Sequence, residues 1–222
     1  MTPSPARTAG LCALGLMVLG PVALMVIPAQ TVVPGDLAAT AALQTTQASL
    51  VGLGVVAELG IVVIELVLTV ALWAVFAERQ PHGAALVGVS RLAMTLGQAT
   101  VALLGLGALM GFEQGLVEAA GGLLAAKSAG ALVWKAVFSL HCGVLAVVML
   151  RDAEIPKLLS GLMALTAVAY GAVSVGGIVA HHLEPVWSSA PLAALMMGEV
   201  AFFLWMLAGR LDARRAAPSV GG

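Results

Sequence analysis

Six unbroken apolar stretches constrain this chain more than any other feature of its sequence. They run approximately over Gly10–Pro28, Leu50–Ala77, Ala84–Gly111, Gly130–Leu150, Leu158–Ala180 and Ala190–Gly209. A bilayer core of roughly 30 Å takes about 20 helical residues, and without water in that core every backbone amide must pair within its own helix. The predicted fold is therefore all-α: a polytopic transmembrane bundle of six helices forming one membrane domain over residues 1–222. The second and third stretches are longer than a crossing needs, so tilt or extension past the bilayer is expected.

Composition excludes the competing classes. With 61% hydrophobic and 9% charged residues, against about 45–50% and 25% in soluble domains, an ordinary globular protein is ruled out. A formal net charge of -1 leaves no basic surplus for a nucleic-acid backbone, so no nucleic-acid partner is expected.

Orientation follows from the short loops. Arg7, Arg79, Arg151, Lys157, Arg210, Arg214 and Arg215 fall on one side, and only Lys127 on the other. By the positive-inside rule both termini are expected in the cytoplasm. Trp73, Trp187 and Trp205 stand near helix ends, where indole rings anchor at the interface. The first stretch lacks a convincing small-residue cleavage site, so it reads as a retained helix rather than a secretion signal. Pro21 should kink it.

Loop punctuation adds detail. Pro34-Gly35-Asp36 reads as a turn delivering an Asp N-cap to a short outer amphipathic helix from Leu37 to about Ser49. Glu113 to Lys127 suggests a second outer or re-entrant helix, and Pro156 suits the start of the fifth span.

Ionisable residues inside the spans carry the functional signal, because charge at bilayer depth is expensive and is normally turned inward and paired. Glu58 and Glu65 lie seven residues apart on one stripe of the second span, as do Arg91 and Gln98 on the third. The link from Glu78 to His82 is short, making these two spans antiparallel neighbours. Counted from that link, Glu65 lies about 20 Å in and Arg91 about 14 Å in, within reach of an Arg side chain, so a Glu65–Arg91 pair is predicted. Gln98 then falls between the levels of the two glutamates, able to hydrogen-bond to either. Lys135 and His141 on the fourth span and Glu199 on the sixth complete the set.

Glu58, Lys135 and Glu199 reach similar depth from the outer side, with His141 nearer the midplane, so one outward-leaning cavity is expected. A carboxylate without a cation in a medium of low dielectric keeps a proton, as a general acid does. On this reading Glu58, Glu199 and His141 are candidate catalytic groups. Glu65, Arg91, Gln98, Lys135 and Tyr170 are candidate substrate-binding groups. Buried ion pairs can instead fix helix register, and Tyr170 with Ser174 can serve packing alone.

His181, His182 and Glu184 offer imidazole and carboxylate to zinc. Adjacent side chains diverge and no further ligand is indicated, so a solvated loop and no metal are expected. Cys12 and Cys142 fall within spans and read as small core residues. No phosphate or dinucleotide fingerprint is present, and no cofactor is predicted.

The order of these features is familiar. Val33-Pro34-Gly35-Asp36 follows the first span, then come Arg91, His141, the turn Ile155-Pro156-Lys157-Leu158-Leu159-Ser160-Gly161, and the last helix from Gly198-Glu199 to Trp205. It resembles a bacterial membrane family known as domain of unknown function 4386, over nearly the whole chain, with Lys135 outside the pattern. The resemblance implies a six-helix protein of the bacterial inner membrane and no particular reaction.

Three functions are compatible with the sequence. One is an enzyme using Glu58 and Glu199 as acid and base to cyclise or isomerise a lipophilic, isoprenoid-like small molecule. Another is a small proton-coupled transporter, expected to act as a homo-oligomer. The third is a structural or regulatory membrane partner whose polar cluster specifies assembly.

Overall fold

The computed structural model describes residues 3–179 and 197–216, and the described residues contain helices and no strand. Five helices are long and apolar enough to cross a membrane: α1 (Pro5–Thr31), α3 (Ala48–Ala77), α4 (Pro81–Glu113), α5 (Val117–Arg151) and α6 (Lys157–Val179). Shorter helices are α2 (Leu37–Thr46), α7 (Gly198–Leu207) and α8 (Arg210–Ala216). Most of the stretch expected to lead into the sixth span lies outside the described residues, and with it Trp187.

Why these segments are helical is plain from their faces. On α3 the buried stripe runs through Val51, Val55, Glu58, Ile61, Glu65, Leu68 and Leu72, while Val56, Val63 and Val70 are exposed on the opposite side. The spacing is helical, but the polarity is inverted relative to a soluble helix. Charge lies inside and apolar surface outside, as the hydrophobic solvent of a bilayer requires.

Two sequence expectations change. The segment from Glu113 to Lys127 is not a separate outer helix, because α5 runs without a break for 35 residues from Val117. No proline interrupts it, and its glycines alone do not end a helix. The short helix α2 stops at Thr46, with α3 beginning two residues later at Ala48.

Pro21 has the expected local effect, in a specific form. It carries no N–H to continue the ladder, and the next five residues, Val22–Val26, relax into a π-turn in which the Ile27 N–H donates to the Val22 carbonyl. Asp36 caps α2 by accepting from the Ala39 N–H at 2.8 Å. Gly35 supplies the left-handed backbone of that turn, at φ 76°.

Contacts gather into two compact units, and α1, α3, α4 and α5 each contribute a stretch to both. Unit 1 comprises Met1–Leu14, Glu65–Met94 and Lys135–Gly222; unit 2 comprises Gly15–Ile64 and Thr95–Trp134. Unit 1 gathers the loop charges. Asp152, its side chain fully buried, pairs with Arg79 at 3.7 Å and Arg215 at 3.2 Å, and Glu154 pairs with Arg79 at 3.4 Å. Ser4 Oγ donates to Asp212 at 2.6 Å, which brings the beginning of α1 beside α8.

Candidate functional site

Within unit 1, Glu65, His141 and Glu199 converge on Arg91. The turn between α3 and α4 makes those helices an antiparallel hairpin, and Arg91 reaches across it to Glu65, as the register arithmetic predicted. Its Nε and Nη2 both donate to Glu65 Oε2, at 2.7 and 2.6 Å. Its Nη1 donates to Glu199 Oε1 at 2.8 Å. Guanidinium nitrogens only donate, so His141 Nε2, 3.2 Å from Nη1, must be the acceptor. That fixes the tautomer. The proton sits on Nδ1, which donates to Ser90 Oγ at 3.0 Å, and the hydroxyl passes its own hydrogen to the Val87 carbonyl at 3.1 Å. The Phe203 ring lies 5.9 Å from the guanidinium carbon.

The members differ in access. Arg91 and His141 are fully buried, and the Glu65 side chain is 6% exposed, but the Glu199 side chain is 21% exposed. Among the described residues Glu65 is held by two donors and Glu199 by one. Glu199 occupies the first turn of α7, where the helix dipole favours an anion. Its backbone is fixed from the residue before. The Gly198 N–H donates to Thr166 Oγ1 at 3.0 Å, and a Cβ at Gly198 would run into the Leu162 carbonyl and that hydroxyl. Only glycine lets α7 start this close to α6.

Unit 2 holds a second, simpler pair. Lys127 Nζ reaches Glu58 Oε1 at 2.5 Å, with side-chain exposures of 21% and 2%. Gly105 makes room, since a Cβ there would lie 2.6 Å from the ammonium. The pair is incomplete. Glu58 Oε2 and Gln98 Nε2 are both buried without a hydrogen-bond partner among the described residues.

Glu58 and Glu199 were expected to lack dedicated partners; instead Glu58 pairs with Lys127, and Glu199 shares Arg91 with Glu65. Among the described residues Gln98 Nε2 donates to no carboxylate. Lys135 is half-buried and forms no ion pair with a described residue. Tyr170 packs edge-on against Phe138 at 4.5 Å, and Phe138 in turn stacks on His141 at 6.3 Å. Sequence reasoning missed Lys127 and Ser90. Lys127 becomes visible once the fourth helix is extended back through Gly130, and Ser90 adjoins Arg91 as one of few hydroxyls at that depth.

Cys142 is buried and Cys12 half-buried, both unpaired with sulfur. Among the described residues no group of three His, Cys, Asp or Glu side chains could hold a metal ion. His181, His182 and Glu184 lie outside the described residues.

Long apolar helices with charges turned inward and mutually paired define an integral, multi-pass membrane protein. Residues 8–209 match the family described as Domain of unknown function (DUF4386), and the chain belongs to that family. Searches of curated proteins and of solved structures find no match.

Proposed function

We propose that the protein is a small proton-coupled transporter, crossing the bacterial inner membrane six times with both termini cytoplasmic and acting as a homo-oligomer. One observation carries the coupling: a single buried guanidinium holds two carboxylates unequally, and the weakly held one, Glu199, is the partly exposed one. With a neutral imidazole alongside, one negative charge is left uncompensated among the described residues, and a proton on Glu199 removes it. That proton also weakens the contact with Arg91 Nη1, while Glu65 keeps the guanidinium in place. The first turn of α7 is then freed from its charge anchor, so proton binding and helix position are linked.

The membrane orientation is supported by the gathering of Arg79, Arg214 and Arg215 around Asp152 and Glu154 in unit 1. The enzyme reading gains less support. It requires Glu58 and Glu199 open to one substrate, and each is engaged by a cation instead.

Electrometry on proteoliposomes tests the reading. A pH step should give a proton-binding current in wild type and in Glu58→Gln, and at least a tenfold smaller one in Glu199→Gln. Equal currents in all three would overturn it.

A further inference from the structure

A groove of about 630 Å³ opens on unit 1 between α4, α5 and α6, within the ordinary range of ligand sites. Its floor is hollow because its residues are small. A Cβ on Gly143 of α5 would meet only the Ala167 Cβ of α6, at 3.9 Å. Along α5 the lining passes through Leu140, Val144, Val147 and Arg151, one stripe at helical spacing. The thirteen residues from Ser139 to Arg151 span about 18 Å, close to the ~15 Å of one leaflet of the hydrocarbon core.

One end of the groove is polar. His82 and Arg151 line it, both exposed, and no carboxylate does. The acids that follow Arg151 are already engaged: Asp152 by Arg79 and Arg215, and Glu154 by Arg79. Arg151 itself forms no ion pair with a described residue. A furrow one leaflet long, ending in a guanidinium with no counter-ion among the described residues, is complementary in shape and in charge to a phospholipid with an anionic headgroup.

We infer that the groove is a specific binding site for one anionic phospholipid, with an acyl chain along Val147, Val144 and Leu140 and the phosphate against Arg151 and His82. The carboxylates of the Arg91 network do not line it, so the site is independent of the proton-coupling proposal. A zwitterionic lipid brings its own cation to the same end and gains less from Arg151.

Native mass spectrometry of the full chain tests this, after exchange into detergent micelles with equal amounts of phosphatidylglycerol and phosphatidylcholine of matched chains. Wild type should retain one phosphatidylglycerol in excess over phosphatidylcholine. Arg151→Gln should lower that excess about fivefold. Gly143→Leu, which grows into the open groove rather than into backbone, should abolish retention while leaving the melting temperature near that of wild type. Equal retention of both lipids in wild type would overturn the headgroup assignment. Retention unchanged in Gly143→Leu would overturn the groove as the seat of the chain. Arg214→Gln, a cation of the same unit that does not line the groove, serves as control, and a loss equal to that of Arg151→Gln would also overturn the site.

Discussion

The Arg91 network of unit 1 and the Glu58–Lys127 pair of unit 2 deal with the same problem, charge inside an apolar helix bundle, and deal with it differently. Around Arg91 every hydrogen-bonding role from Glu65 to the Val87 carbonyl is determined. At Glu58 one carboxylate oxygen is left without a hydrogen-bond partner among the described residues. The cations differ accordingly. A guanidinium offers five donors in a rigid plane and serves several acceptors at once, whereas an ammonium on a flexible stem satisfies one oxygen and follows it. The first arrangement specifies a geometry. The second neutralises a charge.

The largest expected effect breaks the comparison from its stronger side. Arg91→Gln leaves two carboxylates facing each other without a cation and should cost about 3–5 kcal/mol, read as loss of the folded, monodisperse species in detergent. Stability equal to wild type would mean that the network does not specify the fold. Ser90→Ala comes next. It strands the His141 Nδ1–H in a buried site and should cost about 1–3 kcal/mol, measurable as a lower melting temperature with wild-type topology. The smallest effect sharpens the contrast. The double variant Glu58→Met, Lys127→Met removes the pair together with its orphaned oxygen, and replacing a buried pair by apolar residues is often neutral or stabilising. Its melting temperature should match or exceed that of wild type. A fall as large as that of Arg91→Gln would put the two regions on the same footing.

How much of this was legible in sequence depended on distance along the chain. Glu65 and Arg91 flank a short turn, so counting residues from it fixed their levels and predicted their pairing. No such ruler connects Glu58 with Lys127, 69 residues away. Ending the fourth span at Gly130 hid the lysine in a loop, although no proline separates Val117 from Arg151. The long spans were legible because hydropathy is summed over many residues. The partners of His141 and Glu199 were not, because which faces meet is decided by helix packing, and here by a glycine at position 198 that gives no sign in sequence of what it touches.

Chain order gives the two contacts of Arg91 different histories during synthesis. Glu65 leaves the ribosome 26 residues before Arg91, and Glu199 follows 108 residues after it. The α3–α4 hairpin therefore enters the bilayer with Glu65 already matched to Arg91, whereas Glu58 on the same hairpin waits for Lys127 of α5. The last helix arrives at a guanidinium that has long been compensated, and its glutamate joins as a late and separable addition.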